Sequence, residues 1–278
     1  MIAELHCGRF RLSLERPLIM GVVNITPDSF SDGGRFLDPA AAIAHAHKLI
    51  EEGADLVDLG AESSRPGAAA VVGADEELRR LLPVLRGLRD VPVPVSVDTI
   101  KPEVMRAGLA EGASMINDIN GLRAPGACSA VAASDAAVCI MHMQGTPGTM
   151  QQHPRYGDVV AEVKAFLQER VGAARDAGIA AERIAIDPGF GFGKTLDHNL
   201  ELLRHLRDFD AIGVPLIAGW SRKSSLGLIT GKPAGERLAA SIAAALIAAQ
   251  NGARILRVHD VAATHDALAV LAAVEKNR

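Results

Sequence analysis

Aromatic residues are scarce: they make up 3% of 278 residues, with one Trp and one Tyr. A core drawn from the 49% hydrophobic residues must therefore consist of Ala, Val, Ile and Leu. That composition suits buried parallel strands covered by Ala-rich helices. Cysteine is equally sparse. Cys7, Cys128 and Cys139 show no CxxC spacing, which argues against a disulfide framework and for reduced thiols. Basic charge is not in excess either. The formal net charge of −4 argues against a nucleic-acid partner. No apolar run reaches the roughly 18–20 residues needed to cross a bilayer. Residues 1–17 contain no apolar core of signal-peptide length. A soluble, cytoplasmic protein with no membrane partner is the expectation.

Short apolar runs recur along the chain: Leu18–Val23, Leu56–Ala61, Val93–Val97, Met115–Ile116, Ala137–Met141, Ile184–Ile186, Pro215–Ala218 and Ile255–Val258. They do not alternate with polar residues, as expected of strands buried on both faces. Between them lie helical patterns at Pro39–Glu52, Ala74–Arg89, Pro102–Glu111, Ala127–Ser134, Asp158–Ala177, Asp197–Asp210, Ala234–Asn251 and Val261–Glu275. Gly53, Gly112, Gly178 and Gly252 follow helix ends and read as C-caps. Eight evenly spaced strand–helix units predict a (β/α)8 TIM barrel, and Glu4–Leu14 predicts an N-terminal β-hairpin closing its bottom. With no linker or low-complexity tract, residues 1–278 form a single domain on this reading.

In such a barrel the chemistry lies at the C-terminal ends of the strands. Polar residues stand there repeatedly: Asn24, Asp98, Asn117, Asp118, His142, Gln144, Asp187, Ser221, Arg222, Lys223, Arg257 and His259. One of these alone is easily a cap or turn former, but so many together predict one functional mouth. Two long loops, residues 25–37 and 62–73, join it and have the character of lids. Arg65, Lys223, Arg257 and His259 form a set that suits phosphate oxygens. Asp98, Asn117 and Asp187 suit a flat heterocycle offering both N–H donors and acceptors. The expected ligand is a phosphorylated, amide-like heterocycle.

Other motifs fail. The GKT at 193–195 ends like a phosphate-binding P-loop, but Pro188 stands where its first glycine belongs. His45 and His47 lie two apart on a helical pattern and cannot chelate together; both are expected at the surface. There is no HExxH, no Cys/His cluster for zinc and no nucleophile elbow.

The ordered segments MGVVNITPDSFSDGG (20–34), DLGAESSRPGA (58–68), SVDT (96–99), INDI (116–119), MHMQGTP (141–147), IDPGFGFGKT (186–195), GWSRKS (219–224) and RVHDV (257–261) carry a resemblance. Along essentially its whole length the chain resembles dihydropteroate synthase, the pterin-binding enzyme of folate synthesis. The resemblance implies condensation of 6-hydroxymethyl-7,8-dihydropterin diphosphate with p-aminobenzoate, releasing pyrophosphate by a dissociative route. It implies that Asp98, Asn117, Asp187, Lys223 and Arg257 hold the pterin. Asn24, Arg65, Arg257 and His259 would hold the diphosphate, with Asn24 beside a Mg²⁺ ion. Phe30, Ser64, Pro66, Phe190, Lys223 and Ser224 would form the p-aminobenzoate site. Asp98, Lys223 and Arg65 would act in catalysis. It further implies a homodimer and competition by sulfonamides.

One departure is Ser64, where the family usually has Thr. The hydroxyl survives and a methyl is lost, so a slightly altered amine pocket is expected. Two alternatives remain open. A methyltetrahydrofolate-dependent methyltransferase has a similar pterin barrel, but SRKS (221–224) and the long loops have no place in it, and no corrinoid-binding module is present. The other is a pterin-binding paralogue without turnover.

Overall fold

The computed structural model describes residues 2–26, 38–62 and 72–276. Strands β1 (Glu4–Cys7) and β2 (Phe10–Ser13) form the expected antiparallel hairpin, with Cys7 opposite Phe10. There follow β3 (Leu18–Asn24), α1 (Pro39–Glu51), β4 (Leu56–Gly60), α2 (Ala74–Gly87), β5 (Val95–Asp98) and α3 (Pro102–Ala110). Next are β6 (Met115–Asp118), α4 (Ala127–Ala132), β7 (Ala137–Met141), α5 (Val159–Asp176), β8 (Ile184–Asp187) and α6 (Leu196–Arg204). The chain continues with β9 (Ile217–Ala218), α7 (Ser224–Thr230), α8 (Leu238–Gln250), β10 (Ile255–Val258) and α9 (Val261–Glu275).

The eight strands β3 to β10 pair in parallel in the order β8-β7-β6-β5-β4-β3-β10-β9. A parallel bridge between Ile186 and Leu216 joins β8 to β9 and closes the ring. The predicted (β/α)8 barrel is what forms. Successive residues of a strand face opposite sides, so one set points into the barrel and the other onto the helices. Leu18, Met20, Leu56, Met115, Ala137, Cys139, Ala185, Ile217 and Ile255 pack together inside, and Leu5, Cys7 and Leu14 of the hairpin region complete this cluster from below. Outward residues such as Val23, Val57, Leu59, Val97 and Ile116 pack with the helices in a second, larger cluster. No helix among the described residues is long and apolar enough to cross a membrane.

The glycines expected to end helices do so: Gly53, Gly112, Gly178 and Gly252 all have φ between +95° and +104°. Several boundaries differ. Pro215 lacks an N–H for the ladder, and β9 is reduced to two residues plus the bridge. The helix expected over Asp197–Asp210 ends at Arg204 and continues as a 3-10 turn over Leu206–Ile212. There Asn251 Nδ2 donates to Leu203 O at 2.7 Å, capturing a carbonyl that another helical turn would use. Helix α8 starts at Leu238, not Ala234, because Ala234–Glu236 is a 3-10 turn. Helix α7 was not expected at all. Its sequence, SSLGLIT, is too rich in Ser, Gly and β-branched residues to announce a helix. His47 is exposed as expected, whereas His45 is half-buried.

Candidate active site

A cavity of about 630 Å³ opens at the C-terminal ends of the strands. Asn24 from the end of β3, Asp98 from β5, Arg257 from β10 and His259 just after it line it, with Phe190 and Lys223 from the loops after β8 and β9 and Ser224 from the start of α7. These seven expected residues therefore share one mouth. Asn117 and Asp187 are each 5% exposed and are not among the residues lining the open cavity. They face the same barrel interior. Gly219 explains part of this arrangement: a Cβ there would lie 3.7 Å from Arg257 Cβ, 3.9 Å from Lys223 Nζ and 4.0 Å from Asp187 Oδ2. These are ordinary van der Waals separations, so Gly219 brings the backbone after β9 into the neighbourhood of all three side chains.

Phe30, Ser64, Arg65 and Pro66 lie outside the described residues. The segments that contain them adjoin Thr26 and Glu62, and both of those line the cavity. Glu62 is itself held by hydrogen bonds. It accepts from Val72 N at 2.9 Å and from Lys101 Nζ at 2.5 Å, and Lys101 also donates to the buried Glu77 at 2.6 Å.

Three polar residues expected at the mouth turn elsewhere. Strand parity decides it, because Asn117 and Met141 point inward and their successors Asp118 and His142 point out. Asp118 accepts from the backbone N–H groups of Asn120 and Leu122 at 2.7 and 2.8 Å and serves as a turn former. His142 Nδ1 lies 2.9 Å from the Nζ of Lys194. Gln144 exchanges two hydrogen bonds with the backbone of Arg155. Lys194, the residue of the rejected P-loop match, is 3% exposed and also donates to Gly189 O and Phe192 O at 3.0 Å. It folds the loop that carries Phe190. Gly189 and Gly193 in this loop have φ of +72° and +63°, and a Cβ would run into the backbone of His142 and Gln144 respectively.

Asp58 is the site residue that the sequence reading missed. It is 0% exposed, and its Oδ2 accepts from Arg257 Nε at 2.7 Å and Asn117 Nδ2 at 3.1 Å. Arg257 Nη2 donates at 3.0 Å to Asp98 Oδ2. The available signal was a carboxylate inside an apolar run, where burial of charge is costly without a partner.

The electrostatics follow from packing three carboxylates with two cations. Burial pushes the Asp98 carboxyl up to about 7, opposed by the charge of Arg257 and aided by Asp58. Burial also raises Asp187, against the pull of Lys223 and of the Gly189 N–H that donates to it at 2.7 Å. Lys223 is lowered to about 8 by burial, although Asp187 favours its charge. Its ammonium donates to Phe190 O and lies 4.7 Å from the centre of the Phe192 ring. For Arg257, burial works against the charge, but Asp58 and Asp98 outweigh it. Ser221 Oγ lies 3.0 Å from His259 Nδ1 and accepts from His259 N at 3.1 Å, which ties the two loops together.

Comparison with known proteins gives the chain a family. Residues 20–259 match the family described as pterin binding enzyme. The chain belongs to that family. The described site residues named above fall within the matched span. The dihydropteroate synthase of Escherichia coli K12 is 48% identical over 263 residues, covering 94% of this chain and 93% of that protein. Among solved structures, dihydropteroate synthase of Xanthomonas albilineans with 4-aminobenzoic acid superposes with a TM-score of 0.93 at 54% identity, covering 99% of both chains. That of Burkholderia cenocepacia, complexed with 7,8-dihydropteroate, gives 0.91 at 53% identity over 99% of this chain and 97% of that one. The Yersinia pestis enzyme with a sulfonamide drug complex gives 0.93 at 43% identity over 99% and 100%. Membership of the pterin-binding family agrees with the expectation from the sequence.

Proposed function

We propose that the chain condenses 6-hydroxymethyl-7,8-dihydropterin diphosphate with p-aminobenzoate to give 7,8-dihydropteroate and pyrophosphate. One observation carries the reading: Asp98, Lys223, Arg257 and His259 line a single barrel mouth, with Asn117 and Asp187 buried in the same barrel interior. The relatives named dihydropteroate synthase, with 4-aminobenzoic acid and 7,8-dihydropteroate in two of their structures, support it.

In this reading Asp98, Asn117 and Asp187 bind the pterin edge, and Lys223 and Arg257 bracket the ring. Asn24, Arg257 and His259 meet the diphosphate, joined by Arg65. Phe190, Lys223 and Ser224 face p-aminobenzoate, joined by Phe30, Ser64 and Pro66. The bond from the pterin methylene to the diphosphate oxygen breaks first, and the oxygen keeps the electron pair. The carboxylate of Asp98 favours the cation left on the pterin, while Arg257 favours the departing anion. The amine nitrogen then bonds to the methylene and gives its proton to solvent. Positional isotope exchange within the diphosphate in the absence of amine is the expected result; its complete absence would favour a concerted displacement.

A Mg²⁺ ion fits as a companion of the substrate. Among the described residues no cluster of three His, Cys, Asp or Glu could hold a metal. Asn24 offers one neutral oxygen at the rim, and Mg²⁺ characteristically takes one or two protein oxygens with phosphate and water. The ion would supply charge neutralisation at the diphosphate.

The oligomer is a homodimer in this reading. The exposed large apolar side chains Leu228, Ile229, Leu238, Ile247, Val270 and Val274 all lie on α7, α8 and α9. Exposed apolar side chains on these successive helices suit a twofold contact between two copies. Sulfonamides compete with p-aminobenzoate, and the enzyme works in the cytoplasm. The deciding assay is pyrophosphate release from the pterin diphosphate with Mg²⁺, with and without p-aminobenzoate. Amine-dependent release with dihydropteroate formed supports the reading. Binding without turnover would make the chain a pterin-binding paralogue.

A further inference from the structure

Asp58 does not line the cavity, yet it touches two of the residues assigned to the pterin. An ionised carboxylate only accepts hydrogen bonds. The atom of Asn117 that faces it is therefore Nδ2, and the amide oxygen of Asn117 is left to accept an N–H from a ligand. At Arg257 the same carboxylate oxygen takes Nε, while Nη2 goes to Asp98. The other oxygen of Asp58 makes no hydrogen bond among the described residues. A buried charge left without its partner is far costlier than a paired one. If Asp98 turns to a pterin, Arg257 must still keep an anionic partner, and Asp58 is that partner.

We propose that Asp58 is a positioning residue for the pterin. It fixes the amide of Asn117 and holds the guanidinium of Arg257, so that Asp98 can exchange arginine for the pterin without stranding a buried charge. The proposal rests on the pterin roles of Asp98, Asn117 and Arg257 given above. It adds a group that acts only through them.

The test is Asp58→Asn, which keeps the shape and removes the charge, followed by steady-state kinetics for both substrates. The KM for the pterin diphosphate should rise roughly tenfold to a hundredfold, the range expected for a hydrogen bond to a charged group. The KM for p-aminobenzoate should stay within about threefold, a split that general loosening of the fold would not produce. In a double-mutant cycle with Arg257→Gln, the two losses should fall well short of multiplying. An unchanged pterin KM, an equal rise in both KM values, or fully multiplicative losses would each overturn the proposal. A crystal structure of the unmutated chain with a bound pterin provides a second arm independent of any variant's folding. The Arg257–Asp58 bond should persist there while Arg257–Asp98 is broken; loss of the Asp58 contact would sink the idea. A pterin seated elsewhere, away from Asp98 and Asn117, would instead overturn the functional reading on which it rests.

Discussion

The lower and upper halves of the barrel interior are built from the same strands and obey opposite rules. Below, Met20, Leu56, Met115 and Ile255 meet the hairpin's Leu5 and Cys7 in a wholly apolar layer. Above, the same strands carry Asn24, Asp58, Asn117 and Arg257, and the buried carboxylates of Asp58 and of Asp98 on β5 share the guanidinium of Arg257. Two or four residues along each strand separate a layer that holds the fold together from one held in place by it. The upper layer bears the electrostatic cost because the lower one and the outer helices supply stability.

If that division is right, mutations in the upper layer should cost activity and those in the lower layer should cost stability. The largest effect is expected at Asp98→Asn, which removes the charge facing the developing cation. Its kcat/KM should fall by about 10²–10³, as when one preorganised electrostatic group is deleted. A raised KM with kcat unchanged would assign Asp98 to binding alone. Asp187→Asn should weaken pterin diphosphate binding by roughly tenfold to a hundredfold, measured by calorimetry, with thermal stability little changed.

The pH dependence sharpens the same contrast. Asp98 loses its negative charge as pH falls through about 7, and Lys223 loses its positive charge as pH rises through about 8. The free-enzyme profile, kcat/KM for the pterin substrate against pH, should therefore be a narrow bell with its maximum between these values. A flat profile from pH 6 to 9 would contradict both assignments. In the lower layer, Leu5→Ala should destabilise the fold by about 2–5 kcal/mol in urea titration and leave kcat/KM within about twofold. The smallest effect concerns the thiols. Burial holds the Cys7 thiol up at about 12 and raises Cys139 as well, whereas Cys128 is only half-buried. In the native protein Cys128 should react first with a thiol reagent, the other two only on unfolding.

The barrel itself was legible in the sequence, because unbroken apolar runs and glycine stops are local signals. The polar strand ends were legible as a set, yet their direction was not. Asp118 and His142 looked equivalent to Asn117 and Asp187 until the register showed which residue of each pair faces inward. Asp58 opens the DLGAESSRPGA segment, but the sequence does not show which inner side chains meet it from β6 and β10. Lys194 belongs to no working phosphate-binding motif, and its role depends on carbonyls brought close only by the folded loop. Helix α7 is short and poorly helical by composition, so tertiary packing rather than propensity creates it.

The short β9 and its single bridge to β8 leave one seam of the barrel with few stitches. Asp187 closes β8 on one side of that seam, and Lys223 follows β9 on the other. A ligand gripping both residues would clasp the wall across its weakest join. Substrate should then slow amide exchange at Ile186 and Ile217 more than at β3–β4, and the ring would be most elastic when empty and stiffest while it works.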